Sequence, residues 1–302
     1  MSASNQSLKT TFNRADVSED TDKAELLKTL YKNIDVERIS NSLDELTSFY
    51  NRAAYSDTGY QAAGHIRTWM DLLASKNELT DSQFSVSFLP TNTFYRQPSV
   101  VAVLGKDLPG NALVISAHLD TNGGGRRPGA DDDGSGSMVV LEAARLIANS
   151  GHEFNRPIYF IWYAAEEVGL VGSKRVVQDM KNRGVKVDSV LHFDTVGRRA
   201  VEDDPTLWLL KDYVDPNFTD YISGLIKKHI QVPVQYTTCG YACSDHASWT
   251  NGGFSSAAAF ESSFDDINPY LHTANDTRDH VSLENLVNFT KLALAYAVDK
   301  SA

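Results

Sequence analysis

Long apolar runs and positive charge are both scarce in this sequence of 302 residues. No apolar run approaches the roughly 18–20 residues that a membrane-spanning helix needs. Lys and Arg number 28 against 39 Asp and Glu, which gives a formal net charge of -11. Because no Lys/Arg-rich stripe is present to neutralise phosphates, the charge argues against nucleic acid as a partner. A cationic partner fits this charge, although an ordinary solvated acidic surface is the commoner explanation.

Cysteine is also scarce, and its two residues, Cys239 and Cys243, stand together in the segment TTCGYACSDH. This spacing around a glycine is compatible with a disulfide, with two reduced structural thiols or with a pair of metal thiolates. A disulfide would favour an oxidising compartment, secreted or periplasmic. The N-terminal segment has no apolar signal-peptide core, but a mature secreted form would look the same, so a cytoplasmic location stays open.

The chain reads as one domain preceded by a tail. Residues 1–22 are polar and without periodicity, and we expect a loosely ordered tail there. Residues 23–302 contain no internal repeat or low-complexity linker and are predicted to form a single catalytic domain. Helical periodicity covers 24–50, with an interruption near residues 33–35, and it returns over 57–76.

Apolar segments of β type alternate with helical segments through the rest of the chain. This alternation predicts an α/β fold, a three-layer sandwich in which helices cover both faces of a mixed, mostly parallel sheet. The predicted strands lie within 112–120, 157–167, 189–197 and 255–263. The predicted helices are 136–150, 170–182, 215–229 and 283–299.

Three of the predicted strands end in residues that can bind a metal ion. In open α/β sheets, sites form at the carboxyl ends of the strands. Alternate residues on a strand share a face, so the Asp120 carboxylate could orient the imidazole of His118. The metal-binding residues at these strand ends are His118, Asp120, Glu166, Glu167 and Asp194.

Residues 129–136 read GADDDGSG, so three adjacent carboxylates stand between glycines before a predicted helix. Capping of that helix accounts for one or two of them. A carboxylate that bridges two divalent cations would account for the third, because the cations would relieve the repulsion between like charges.

The pair Glu166–Glu167 follows a fully apolar strand, where two buried charges are costly without a partner. One glutamate can ligate a metal while its neighbour serves as a base. His272, in a loop rich in polar residues, is a further candidate ligand. His192 and His246 are more typical of packed structural histidines.

Six motifs in order carry a family resemblance: HLD, PGADDDGSG, AAEEVGLVGS, HFD, TCGYACSDHASW and FESSFDDINPYLHTANDT. Together they resemble the bacterial leucyl aminopeptidases with two co-catalytic zincs, which belong to metallopeptidase clan MH. The match runs from about Leu113 to the C-terminus. It implies a phosphorylase/hydrolase-like fold, two Zn2+ per chain, and peptide substrates with a free N-terminal amine and an apolar, leucine-like first residue.

The resemblance also implies a role for each matching residue. Asp132 would bridge both zincs, with His118 and Asp194 completing one site and Glu167 and His272 the other. Glu166 would be the general base, Asp120 would orient His118, and the Asp132–Asp133 peptide would be cis. Cys239 and Cys243 would form the family's short disulfide. The pocket for the N-terminal side chain would be formed by Tyr241, Phe260, Phe264, Ile267 and Leu271.

The sequence departs from the family at Thr195 and Ala258, where larger apolar residues are usual, and this puts the preference for leucine in question.

We expect a monomer that contacts neither membrane nor nucleic acid. Two other functions stay open. One is a glutaminyl cyclase or another clan MH amidohydrolase. A cyclase would need one zinc and a different acid–base pair. The other is a non-catalytic binding module, which would usually have lost ligands or the base.

Overall fold

A twisted eight-stranded sheet forms the centre of the structure, a computed structural model that describes residues 14–302, with side chains from residue 21. The strand order across the sheet is β1-β2-β4-β3-β5-β8-β6-β7. The strands are β1 (Phe84–Leu89), β2 (Ser99–Leu104), β3 (Ala112–His118), β4 (Ile158–Tyr163), β5 (Val187–Phe193), β6 (Leu207–Leu210), β7 (Val234–Thr237) and β8 (Ser256–Phe260).

The middle of the sheet is parallel and its flanks are mixed. Strands β4, β3, β5 and β8 run parallel to one another, in that order across the sheet. Strands β1 and β2 add antiparallel pairs on one side, and β6 pairs antiparallel with β8 on the other. The predicted mixed α/β sheet is therefore confirmed. The four flanking strands were not predicted, because β6 and β7 are only four residues long and β1 is largely half-exposed.

Eight α-helices are present in the described residues. They are α1 (Arg14–Lys32), α2 (Val36–Thr47), α3 (Asp57–Lys76), α4 (Gly134–Asn149), α5 (Val171–Asn182), α6 (Pro216–Leu225), α7 (His246–Asn251) and α8 (Leu283–Ser301). The break expected near residues 33–35 separates α1 from α2, where the Asp35 carboxylate caps α2 by accepting the Arg38 N–H at 3.0 Å. Most of the predicted tail of residues 1–22 lies outside the described residues, and α1 begins at Arg14.

Alternate side chains of β4 enter two different cores, one on each face of the sheet. Ile158, Phe160 and Trp162 lie in the core formed with α4 and α8, while Tyr159, Ile161 and Tyr163 lie in the core formed with α5 and α7. A strand covered on both faces needs such a continuous apolar run. The three-layer architecture follows, and within residues 14–302 no helix is long and apolar enough to cross a bilayer.

The core beside α8 supports the end of β5. Phe289 of α8 is fully buried, and its ring meets that of Phe193 edge-on at a centroid distance of 6.2 Å. Phe193 directly precedes Asp194, so this packing fixes the backbone from which a candidate ligand projects.

We expect Phe289→Ala to lower the free energy of unfolding by about 3–5 kcal/mol, because the substitution leaves a cavity in a packed core. Urea unfolding followed by circular dichroism measures the change. Leu72→Ala, at an exposed position of α3, serves as the control and should stay within about 0.5 kcal/mol of the parent. Equal losses in the two variants would contradict this account of the core.

Candidate metal centre

The parallel strands bring the candidate ligands to one edge of the sheet. His118 is the last residue of β3, and Asp194 directly follows β5. Glu166 and Glu167 follow β4 after a turn in which Ala165 has a φ of 57°. A left-handed conformation at a non-glycine residue is uncommon and clusters at functional sites. The carboxyl edge of the sheet therefore carries the site, as the strand-end pattern predicted.

Two groups of donor atoms share the Asp132 carboxylate. His118, Asp132 and Asp194 offer atoms that all lie within 4.8 Å of one another, and so do Asp132, Glu167 and His272. The Nε2 atom of His118 lies 3.1 Å from Asp132 Oδ1 and 3.6 Å from Asp194 Oδ1. The Nε2 atom of His272 lies 3.0 Å from Asp132 Oδ2 and 3.1 Å from Glu167 Oε2. The structure thus brings together all five residues expected to hold metal.

The electrostatics of this cluster favour positive charge between its carboxylates. Burial alone would raise the pKa of Asp132, but the hydrogen bonds and charges of His118 and His272 lower it below its ordinary value. Hydrogen bonds to Asp132 and Glu167 raise the pKa of His272 to about 10. The positive charge of the two imidazoles therefore stabilises the ionised form of Asp132.

The three neighbouring aspartates have three different environments. Asp132 faces the two imidazoles, and its peptide bond to Asp133 is cis. Asp133 caps α4 by accepting the Gly136 N–H at 2.9 Å, and it also accepts the His118 N–H at 3.0 Å. Capping by one carboxylate was among the expected explanations of the triplet, and the structure assigns it to Asp133.

Asp131 turns away from the two imidazoles and contacts a further buried acid. Its carboxylate accepts the Gly197 N–H at 2.9 Å and the Asn268 amide at 2.8 Å, and it also contacts the Glu261 carboxyl group. Burial raises the pKa of both acids, and for Glu261 the adjacent charge of Asp131 raises it further. Glu261 is therefore the member of the pair that keeps a proton.

Asp120 contacts both His118 and the turn that carries the glutamates. The Nδ1 atom of His118 lies 3.1 Å from the backbone carbonyl of Asp120 and 3.8 Å from its Oδ1. The carboxylate accepts the N–H groups of Glu166 at 2.9 Å and Glu167 at 3.3 Å. Because β3 ends at His118, strand alternation does not continue to Asp120, and the backbone carbonyl takes the closer position to the imidazole.

Glu167 has one carboxylate oxygen with partners and one without. Its Oε2 accepts the Asn122 amide at 3.0 Å. Its Oε1 is buried and has no hydrogen-bond partner among the described residues. A buried carboxylate oxygen left unpaired is costly. Together with a donor set of imidazole nitrogen and carboxylate oxygen, this orphan oxygen fits a zinc ion.

A cavity of about 470 Å³ opens directly beside the candidate ligands. Glu166 lines it and is half-buried. Burial, with the charges of Asp245, Asp194 and Glu167 added, raises the pKa of Glu166 well above its ordinary value, which suits a group that must accept a proton. All five residues predicted for the pocket line the same cavity: Tyr241, Phe260, Phe264, Ile267 and Leu271.

The mouth of this cavity is formed in part by the cysteine loop. Cys239 and Cys243 form a disulfide, which confirms that prediction. Tyr241, between them, is 57% exposed, and its ring meets Phe264 edge-on at 6.2 Å. Of the two departures from the family pattern, Thr195 lines the cavity, whereas Ala258 is buried behind it in a cluster with Phe260.

His192 and His246 are buried, as expected for structural histidines. His192 exchanges hydrogen bonds with the hydroxyls of Ser116 at 3.1 Å and Ser244 at 2.8 Å. Burial lowers the pKa of His246 to about 4. Both imidazoles are therefore neutral near pH 7 and lie outside the two donor groups.

Several residues of the site were missed in the sequence. Asp276 accepts the N–H groups of Asp131 and Asp132, each at 3.0 Å. Arg52 is buried beneath the Asp132 loop, although it lies 80 residues earlier in the chain. Asp276 stands in the quoted motif NPYLHTANDT and could have been noticed there, whereas no local pattern marks Arg52.

We expect the Glu261→Gln variant to lose part of the pH dependence of stability. Glu261 keeps its proton in the folded state above pH 4.5, where the unfolded chain has released it. The folded state then binds more protons, so stability falls as pH rises from about 4.5 towards the raised pKa, by up to about 1.4 kcal/mol per pH unit. Gln cannot ionise, so the free energy of unfolding of the variant should change less with pH.

Urea unfolding between pH 4.5 and 8, with chelator present throughout, measures this difference. The exposed Glu202→Gln variant is the matched control and should follow the parent curve. If the free energy of unfolding depended on pH equally in the parent and in Glu261→Gln, Glu261 would be ionised in the folded protein.

The chain is similar to known proteins in both sequence and structure. Residues 99–297 match the family model described as peptidase family M28. A probable leucine aminopeptidase 1 from Trichophyton verrucosum is 33% identical over 292 residues, covering 91% of this chain and 77% of its own. The crystal structure of the Legionella pneumophila LapA aminopeptidase superposes with a TM-score of 0.89 at 46% identity, covering 91% of this chain and 74% of that one.

LapB from the same organism gives a TM-score of 0.88 at 45% identity, covering 97% of this chain and 83% of its own. The family match spans most of the chain and includes every candidate metal ligand. The resemblance predicted from the six motifs is confirmed, and the chain belongs to peptidase family M28.

Proposed function

We propose that the chain is a zinc-dependent aminopeptidase that holds two ions and removes an N-terminal residue from peptides with a free amine. The observation that carries this proposal is the sharing of Asp132 between two donor groups beside Glu166 and an apolar cavity. The names of its relatives, which include leucine aminopeptidases and LapA, support the same activity.

His118 and Asp194 would hold one zinc ion, Glu167 and His272 the other, and Asp132 both. Two features support a fit to zinc: the mixed imidazole and carboxylate donors, and the unpaired buried Oε1 of Glu167. The chemistry that zinc supplies when bound is polarisation of the scissile carbonyl and a lowered pKa of water.

Glu166 is the proposed general base. Its carboxylate would take a proton from the attacking water and later return it to the leaving amine. The Asp120 carboxylate holds the backbone N–H of Glu166, so the base is fixed relative to His118 by a single residue. This coupling supports the predicted role of Asp120 as an orienting group, exerted on the base as well as on the imidazole.

The acidic cluster and the cavity together would select the substrate. Several carboxylates near the site attract a protonated α-amine, which explains a preference for free N-termini. The wall of Phe260, Phe264, Ile267 and Leu271 suits an apolar first side chain. Thr195, smaller than the usual residue of the family, leaves more room in this cavity, so we infer that it admits side chains larger than leucine.

The completeness of the site favours a peptidase over the alternatives. A glutaminyl cyclase would need one zinc and a different acid–base pair, and a binding module would be expected to lack ligands. Here both donor groups and both glutamates stand together. The disulfide supports a secreted or periplasmic location, which we include in the proposal.

We expect Glu166→Gln to retain both zinc ions and to lose about 10²–10⁴-fold in kcat, because the amide cannot accept the proton. Metal content by atomic emission and steady-state kinetics provide the readouts. Glu153→Gln, at an exposed surface position, is the control and should match the parent. Unchanged turnover in Glu166→Gln would remove this residue as the base.

We also expect cleavage of leucine p-nitroanilide but not of its N-acetylated form, since acetylation removes the charged amine. Chelation should abolish the activity, and about two zinc ions per chain should restore it. Full restoration by one ion would contradict the two-ion site. Cleavage of neither compound by the metal-loaded protein would favour the cyclase or the binding module.

A further inference from the structure

Arg52 is a buried cation without an acidic partner. Its side chain is 0% exposed, although arginine is rarely buried completely. No carboxylate lies within ion-pairing distance of its guanidinium in the part of the chain whose side chains are described. A charge held in this way needs a compensating environment, because desolvation of an unpaired ion is costly.

Backbone carbonyls supply that environment. The guanidinium donates to the carbonyl of Leu119 at 2.8 Å, to that of Gly129 at 2.9 Å, and to that of Pro128. The backbone N–H of Arg52 donates to the Thr121 hydroxyl at 2.9 Å. All five donor positions of arginine lie in one planar fork, so a single side chain can hold several carbonyls at fixed angles.

These carbonyls belong to the two segments that carry metal-binding residues. Leu119 stands between His118 and Asp120, and Pro128–Gly129 stands just before the aspartate triplet. Arg52 therefore ties the end of β3 to the loop that presents Asp132. The fit is close, because a Cβ added to Gly129 would lie 2.9 Å from Arg52 Nη2 and 2.5 Å from the carbonyl oxygen of Asp132.

The charge of Arg52 also faces the acidic cluster. The aspartates that act on it electrostatically, Asp276, Asp132, Asp133 and Asp120, surround the metal-binding segments. None of them forms a direct ion pair with it, so the guanidinium acts on these aspartates at longer range. A fixed positive charge beneath these carboxylates reduces their mutual repulsion whether or not a metal ion is bound.

We propose that Arg52 is a positioning residue that sets the spacing between His118 and Asp132 and so prepares the site for metal. The inference rests on the proposed function, because it takes His118 and Asp132 as ligands. Arg52 lies before residue 99, where the family match begins, so the segment ahead of that match contributes to the site.

The test compares Arg52→Lys and Arg52→Met with a matched control, Arg145→Met. Arg145 stands on α4, where its guanidinium donates to the Glu142 carboxylate and to the backbone carbonyl of Asn33. It is 12 residues past Asp133, about 18 Å along the helix. Zinc affinity is measured by competition with a chromophoric chelator. Thermal unfolding with and without zinc, and kcat and KM on a leucine anilide at saturating zinc, complete the readouts.

We expect both Arg52 variants to bind zinc about 10–100-fold more weakly, as is usual when groups that support metal ligands are removed. The stabilisation by zinc should shrink accordingly, and kcat should fall more than KM rises. Arg52→Lys keeps the charge but not the fork and should lie between the parent and Arg52→Met. Arg145→Met should lower the melting temperature without changing zinc affinity.

Zinc affinity and kcat within about twofold of the parent in Arg52→Lys, together with a lowered melting temperature, would overturn the inference and leave a purely structural role. Arg52→Lys decides the question if Arg52→Met does not fold. A parent protein that binds no zinc would overturn the proposed function and this inference together. A parent that binds zinc, with variants that bind it equally well, would overturn the inference alone.

Discussion

The arrangement of the site depends on one carboxylate whose two oxygens face two different imidazoles. Asp132 can do this only if His118 and His272 approach from opposite sides. His118 comes from the end of β3, whereas His272 comes from the long segment between β8 and α8. The sheet order, the turn at the aspartate triplet and the path of that segment must therefore all be correct before the two donor groups exist.

So many buried acids in one place would repel one another, and the fold offsets this cost with hydrogen bonds from backbone N–H groups. Asp133 binds the N–H groups of His118 and Gly136, and Asp276 binds those of Asp131 and Asp132. Each of these bonds also fixes a segment beside a candidate ligand. The backbone amides that bind these buried acids are thus the same groups that set the geometry, and the acids connect neighbouring segments as well as lining the site.

The central strands and much of the candidate site could be predicted, because local sequence patterns indicate them. The apolar runs predicted the central strands, and the polar residues after them predicted His118, Glu167 and Asp194 as candidate ligands, since parallel strands end at one edge. The roles of Asp132 and His272 came from the family resemblance. The environments of Asp131 and Asp133 could not be assigned, because three adjacent aspartates look alike until the loops at Gly197 and Asn268 are in place. Arg52 was missed for a different reason: its partners are backbone carbonyls, which every residue possesses, and they lie far along the chain.

Most of the cavity wall lies on segments other than the strand ends that carry most of the donor groups. Tyr241 stands on a loop closed by a disulfide, and Phe264 and Ile267 stand on the segment after β8. Most of the candidate ligands instead follow the ends of β3, β4 and β5. Substitutions in this wall can change the shape offered to a side chain while the sheet edge stays as it is. Such a division allows substrate preference to diverge among descendants of one ancestral enzyme, with the hydrolytic chemistry inherited intact.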